Sequence, residues 1–424
     1  MNTSSNPAPD QKSLAQWLSY LETLHPSVID LGLNRIKLVA ERLDIDVSRQ
    51  TVITVAGTNG KGTTCRFLEQ ACLVQGKTTG VYSSPHLLDY RERVRINNVN
   101  PAARQFCDVF EIIESARDGI TLTYFEFGTL AALLLMQQAA VDVIILEVGL
   151  GGRLDATNII DADLAVITTI DLDHQDWLGD TREAIAREKA GIMRQGGRAV
   201  IGELSPPASL TDVVSELAVT ARWAGQDFQT FTENETWQWQ GFHSTISELP
   251  VPRIPAQNIA TSLAALEMLG WLPDSATVQA LVARVNLPGR LETIATQPWV
   301  VVDVGHNPQA MAALRKWLHQ QQFHQLRLVV GMLKDKSIRA TLTELAGLNA
   351  HWYLGTTQGP RGAAASVLQE NLDNADQNQS NCYTDVEQAY LNALNDAQDD
   401  DIIVVFGSFL TVADVMRASS TTSQ

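Results

Sequence analysis

Cysteine is scarce in this chain, and basic runs and long apolar stretches are missing. Four cysteines stand among 424 residues, at 65, 72, 107 and 382, and no two form a C-x-x-C pair. That spacing argues against zinc or a disulfide framework and fits free thiols in a reducing compartment. Cys65 and Cys72 lie seven apart on the apolar face of an expected helix. No segment reaches the roughly 18 uninterrupted apolar residues of a membrane span. The longest apolar runs, near 130–136 and 143–146, read as core elements. No basic run offsets the net charge of −17. Non-specific nucleic-acid binding needs Lys and Arg to neutralise phosphates. Neither nucleic acid nor membrane is therefore expected as a partner, and the acidic balance reads as solubility charge. Residues 1–11 have neither a basic start nor an apolar stretch. Residues 1–12 thus read as a disordered tail rather than a signal peptide, and the chain as cytoplasmic. No amphipathic stripe demands a partner, so a monomer is expected.

What is present is an apolar fraction of 45%, enough for a large core, over a length that suits two or three domains. Short β-branched runs at 51–56, 79–82, 141–147, 164–170 and 199–201 alternate with helical patterns at 63–75, 124–140 and 181–193. Such alternation predicts a parallel sheet covered on both faces. Residues 218–250 read as a small antiparallel excursion, followed by a helix at 257–269. A second alternation has strand runs at 299–304, 326–330, 351–354 and 401–406. The expected fold is α/β throughout. A P-loop NTPase-like, mostly parallel sheet unit over 1–295 binds ATP, and a smaller Rossmann-like unit covers 296–424. Leu287-Pro288-Gly289-Arg290 reads as the hinge between them.

The sharpest motif is Gly57-Thr58-Asn59-Gly60-Lys61-Gly62-Thr63, between an expected strand and an expected helix. Glycines let backbone wrap around phosphates, and a helix N-terminus offers free N–H groups and a positive dipole end. Lys61 supplies a point charge, and Thr63 a hydroxyl for Mg²⁺. Ser84, Glu147 and His174 each fall at or beyond a strand's carboxyl end, where open parallel sheets bind ligands. Serine and glutamate oxygens suit Mg²⁺, and histidine suits it less. Lys189 falls on the apolar stripe of its helix. Burial would favour its neutral amine, which takes up carbon dioxide as a carbamate. From spacing alone, a snorkelling lysine is the better reading. His306 in Gly305-His306-Asn307-Pro308 follows a strand end and leans toward ligand contact, with Asn307 as a helix cap. Thr123-Tyr124-Phe125-Glu126-Phe127 reads as core packing or as a stacking wall for a flat ring.

Together these motifs resemble the Mur ligase superfamily, in its folate branch. The resemblance rests on the Gly57–Thr63 loop, on Tyr82-Ser83-Ser84-Pro85-His86-Leu87, and on residues 147–158, which run Glu-Val-Gly-Leu-Gly-Gly-Arg-Leu-Asp-Ala-Thr-Asn. It also rests on Leu172-Asp173-His174, Arg187-Glu188-Lys189-Ala190-Gly191-Ile192, Pro288-Gly289-Arg290, His306-Asn307-Pro308 and Gly407-Ser408-Phe409. The resemblance implies ATP-dependent ligation of L-glutamate to 7,8-dihydropteroate and to the γ-carboxylate of reduced folates, through an acyl phosphate. It implies ATP, Mg²⁺ and, as a further candidate, a monovalent cation. Thr58, Asn59, Gly60, Lys61, Gly62, Thr63, Asn258, Arg290 and Asp303 would bind ATP. Ser84, Glu147, His174 and Lys189 as a carbamate would hold metal. Lys61, Lys189 and His306 would be catalytic. The pterin would lie near Asp30, Leu31, Gly32, Leu33, Thr123, Tyr124, Phe125, Leu154, Asp155 and Ala156. Rival readings are polyglutamylation alone, a cell-wall Mur ligase, and a regulatory ATPase without an acceptor.

Overall fold

The computed structural model describes residues 12–233, 236–252 and 254–422. The expected tail at 1–12 lies outside them except for Lys12, whose amine sits 4.4 Å above the Trp17 ring.

The first sheet has seven strands: β1 Thr51–Ala56, β2 Thr79–Tyr82, β3 Val94–Ile96, β4 Val143–Glu147, β5 Leu164–Ile167, β6 Arg198–Ile201 and β7 Thr220–Trp223. Their order is β3-β2-β4-β1-β5-β6-β7, and only β3 is antiparallel. A small antiparallel sheet follows, of β8 Gln229–Glu233, β9 Thr236–Gln240 and β10 Thr245–Leu249. The second large sheet holds β11 Glu292–Thr296, β12 Trp299–Asp303, β13 Leu326–Val330, β14 Ala350–Gly355, β15 Ser380–Tyr383 and β16 Ile402–Phe406. Its order is β11-β12-β16-β13-β14-β15, with β11 the antiparallel edge.

The expected α/β class is thus the observed one, and buried Val, Ile and Leu fill β1, β4, β5, β13 and β16 because both sheet faces are covered. One face of the first sheet packs with the helices Lys61–Val74 and Ala256–Leu269, the other with Leu14–Leu24, Ala103–Arg117 and Tyr124–Gln138. The N-terminal helices Leu14–Leu24 and Asn34–Arg42 are additions to the expected plan, and each turns an apolar stripe inward, burying Trp17 and Leu21 or Ile36 and Val39.

Three expectations need correction. The strand expected at 164–170 stops at Ile167, because Thr168 and Thr169 turn to bond the loop after β1 instead of extending the ladder. The excursion at 218–250 is not one unit, because β7 pairs parallel with β6 in the main sheet. The boundary at 295/296 falls inside β11, whose pairing with β12 makes it part of the second sheet.

Candidate active site

β1 runs into the loop Gly57-Thr58-Asn59-Gly60, and the helix Lys61–Val74 leaves it. Gly60 caps that helix at φ 87°, a left-handed conformation suited to glycine, and a side chain there would strike the Asn258 amide. Neighbouring backbone braces the loop. Thr58 Oγ1 donates to Asp171 O and accepts from Asp171 N, each at 3.0 Å, and Asn59 N donates to Thr169 Oγ1 at 3.0 Å. Lys61 Nζ folds back on Gly57 O at 2.9 Å and Thr58 O at 3.2 Å. Burial lowers the Lys61 pKa against the pull of Glu147 and Asp173.

β4 ends on Glu147, in register with Val55 of β1. β2, beside it, ends two residues before Ser84, whose N–H donates to Glu147 Oε2 at 3.4 Å. Glu147 is 6% exposed, and burial raises its pKa despite Lys61. His174 opens the short helix Gln175–Leu178 at φ 51°. Burial pushes its pKa down to about 4, against Asp173. Burial would raise the pKa of Asp173, but His174, Lys336 and His306 outweigh it and hold the carboxyl well below the usual range.

Lys189, on the helix Arg182–Ala190, is 4% exposed, and its amine has no hydrogen-bond or ion-pair partner among the described residues. Burial, helped by the charge on Lys61, lowers its pKa to about 7. A snorkelling lysine would carry its amine to bulk water, whereas this one stands in a cavity wall.

The second sheet supplies the facing wall. Asp303, at the end of β12, accepts from Leu291 N at 3.0 Å and Gly305 N at 2.7 Å. Arg290 lies over the Phe409 ring at 5.7 Å. His306 Nδ1 is 2.9 Å from Val304 O. A carbonyl partner requires the proton on Nδ1, which leaves Nε2 an acceptor. Burial, with Lys336 adding, pushes the His306 pKa down to about 4, so the ring is neutral at pH 7. Direct hydrogen bonds join the walls, among them those that Gln309 Oε1 accepts from Asn59 Nδ2 at 2.5 Å and Thr169 Oγ1 at 3.4 Å. Asn59 and Asn307 exchange amide hydrogen bonds of 3.1 and 2.9 Å. Lys336 Nζ donates to Asp173 Oδ1 at 2.8 Å.

Between the walls lies a cavity of about 500 Å³. Thr58, Asn59, Gly60, Lys61, Gly62 and Arg290 of the expected ATP set line it. Thr63, Asn258 and Asp303 do not; Asn258 Nδ2 donates to Thr63 Oγ1 at 2.6 Å, so this pair braces the loop from behind. Ser84, Glu147, His174, Lys189 and His306 all line the cavity.

The expected pterin residues do not line it. The helix Asn34–Arg42, the start of Tyr124–Gln138 and the turn Ala156–Ile159 pack on one another beside it. The Phe125 ring lies where a side chain on Gly149, in the cavity wall, would stand. Asp155 is occupied structurally, accepting from Leu150 N at 2.9 Å, Thr157 N at 3.0 Å and Thr157 Oγ1 at 2.7 Å. Sequence reading passed over Asp173, Lys336, Arg66 and Arg95 as site residues. The charged run Lys334-Asp335-Lys336 just beyond β13 was the available signal for Lys336.

A phosphate loop at the carboxyl end of one parallel sheet, covered by a second α/β unit, defines the architectural class. Two family models match the chain: the Mur ligase middle domain over residues 55–209 and the Mur ligase glutamate ligase domain over 289–409. The dihydrofolate synthase/folylpolyglutamate synthase of Escherichia coli is 46% identical over 405 residues, covering 95% of each chain. The solved structure of E. coli FolC in complex with DHPP and ADP superposes with a TM-score of 0.93 at 45% identity, covering 97% of this chain and 99% of that one. A bifunctional folylpolyglutamate synthase/dihydrofolate synthase with Mn, AMPPNP and L-glutamate bound gives a TM-score of 0.88 at 47% identity, covering 96% and 98%. The chain belongs to the Mur ligase family, in its folate branch.

Proposed function

We propose that this chain uses ATP to join L-glutamate to 7,8-dihydropteroate, giving dihydrofolate, and to the γ-carboxylate of folates, extending a γ-glutamyl tail. The observation that carries this reading is one cavity wall holding the Lys61 loop, the buried Glu147 and the unpaired Lys189.

The same wall fits a divalent cation. Glu147 is a buried carboxylate whose neighbouring donor stands at 3.4 Å, and Lys189 titrates at about 7, so its neutral amine is available to become an anionic carbamate. With Ser84 and His174 these groups make a mainly oxygen donor set of the kind Mg²⁺ takes. Bound Mg²⁺ would neutralise charge on the transferring phosphoryl group.

The loop amides and Lys61 hold the phosphates. An acceptor carboxylate oxygen attacks the γ-phosphorus, and the bond to ADP breaks. The amine of glutamate then attacks the acyl carbon, and the tetrahedral intermediate expels inorganic phosphate as the amine loses its proton. His306, neutral with Nε2 as acceptor, holds an N–H of the incoming amine. Arg290 contacts ATP from the second wall with the Asp303 carboxylate near it, while Asn258 braces the phosphate loop from behind. The pterin is assigned to the cluster around Leu33, Tyr124, Phe125 and Ala156. We place the division between units at 285–291, and assign the chain as a cytoplasmic monomer. No helix among the described residues is long and apolar enough to cross a membrane.

Purified protein given ATP, Mg²⁺, L-glutamate and dihydropteroate is expected to release phosphate only when all are present, with dihydrofolate formed. Phosphate release independent of glutamate and pterin, or none with either dihydropteroate or tetrahydrofolate, overturns the reading. A ¹³C-carbonate label on Lys189, seen by NMR, is expected in the active protein.

A further inference from the structure

The cavity wall continues past the phosphate loop to Arg66, Arg95, Asn98 and Asn100. The mechanism above uses none of them. Arg66 stands on the helix Lys61–Val74, one and a half turns beyond Lys61, and Arg95 on β3. Both guanidiniums close on Glu69, which is 0% exposed: Arg66 Nη1 at 3.0 Å and Arg95 Nε at 2.9 Å. Arg95 Nη1 also donates to Ser83 Oγ at 3.1 Å, next to Ser84. Arg66 Nη1 also meets Asn98 Oδ1.

Two guanidiniums on one carboxylate leave a surplus positive charge on the wall. Arg66 Nε and Nη2 and Arg95 Nη2 find no partner among the described residues. Glu69 holds both guanidiniums in place; the free Nε–Nη2 edge of Arg66 suits bidentate capture of a planar anion, and Arg95 Nη2 adds a single donor. Asn98 and Asn100 are exposed, so here the cavity meets solvent. In a chain of net charge −17, a local positive mouth is also what admits a polyanion.

We propose that Arg66 and Arg95, fixed by Glu69 and flanked by Asn98 and Asn100, form a subsite for the α-carboxylates of an acceptor's γ-glutamyl tail. This rests on the reading of the chain as a glutamate ligase. Tail α-carboxylates are the anions that distinguish the two acceptors, since dihydropteroate carries only the carboxylate that reacts. The Arg95–Ser83 bond sets the subsite beside the reacting end. Each added glutamate places a further α-carboxylate toward the solvent-facing asparagines. One surplus charge grips such a tail loosely, and so lets it advance by one unit per turnover.

The test is Arg66→Met and Arg66→Lys in the full chain, assayed with dihydropteroate and with tetrahydrofolate bearing one or three glutamates. Arg66→Met is expected to raise KM for the triglutamate about ten-fold more than KM for dihydropteroate, the size of one charged contact, with partial recovery in Arg66→Lys. Where Arg66→Met fails to fold by thermal unfolding, the Arg66→Met/Glu69→Gln pair removes one charge of each sign and carries the same comparison. A loss shared equally by both acceptors, or a raised KM for L-glutamate or ATP in its place, overturns the subsite. Wild-type protein inactive with every acceptor would instead sink the ligase reading, and the subsite with it.

Discussion

In the second unit Arg327 and Asp401 make a buried pair with nearly every polar atom in use, whereas in the first unit Lys189 and Glu147 are buried almost alone. Arg327 Nε and Nη2 donate to Asp401 at 3.1 and 2.9 Å, and its Nη1 donates to the Tyr353 hydroxyl at 2.8 Å. That hydroxyl in turn donates to Asp396 Oδ2 at 2.9 Å, and Gln398 N donates to Asp401 at 3.0 Å. This network precedes β16, at the amino ends of the second sheet's strands. The underpaired groups stand at the carboxyl ends of the first. A satisfied buried network specifies a fold, while a buried titratable group left short of partners is held for a ligand. His324, Asp400 and Asp401 also come within 4.8 Å of one another. With Arg327 already on Asp401, that group is an ion-pair cluster rather than a cation site.

The contrast is broken or sharpened by substitution. Lys61→Ala is expected to lower kcat by about a thousand-fold or more, the scale for removing a group that meets developing charge. Its unfolding midpoint should move little, because a buried amine with only two carbonyl partners is lost. Equal damage to stability and turnover would break the comparison.

Arg327→Met is the mirror case. Removing one partner of a buried pair costs about 3–5 kcal/mol, read by denaturant unfolding, with kcat of the folded fraction nearly retained. The same pair sets an acid limit. Burial would raise the Asp401 pKa, but the Gln398 N–H and Arg327 outweigh it and hold the folded value low. Its stabilisation is therefore present above the unfolded carboxylate range, near about 4, and is lost as pH falls through the folded value. Arg327→Met should move acid unfolding of this unit to higher pH. An unshifted acid midpoint would show that the pair does not govern it.

Lys336→Met tests the link across the cavity. Losing the contact to Asp173 should lower kcat/KM for ATP about five- to ten-fold, the range of one modest coupling energy, and cost less stability than Arg327→Met, because Asp173 lines the cavity, where water can solvate its carboxylate. An effect as large as that of Lys61→Ala would place Lys336 among the groups that touch substrate.

The chemistry-bearing strand ends were legible because each ends an apolar run with a polar residue. Glu147 and Asp303 close strands of buried Val, Ile and Leu, and the glycine loop follows β1 directly. Strand edges were less legible. β3 and β11 are short antiparallel edges with weak alternation, and β7 looks like part of the aromatic-rich excursion until its pairing with β6 is seen. The exact set facing the cavity could not be read from order alone. Thr63 closes the loop motif and Asn258 is implied by the resemblance alone, yet the two turn to each other behind the loop. Asp155, placed near the pterin only by the family resemblance, uses its carboxylate to cap its own turn.

The Asn59–Asn307 amide pair bears on modularity. It spans 248 positions of the chain and joins the phosphate loop to the first turn of a helix in the other half. Each amide offers its partner one donor and one acceptor, so an Asn→Asp change on either side would set two acceptors against each other. A hybrid that grafts the second unit of another ligase onto this first one must therefore bring a matching amide at 307. Without it the loop loses a brace that its own unit does not contain, and the two halves would have to be exchanged together.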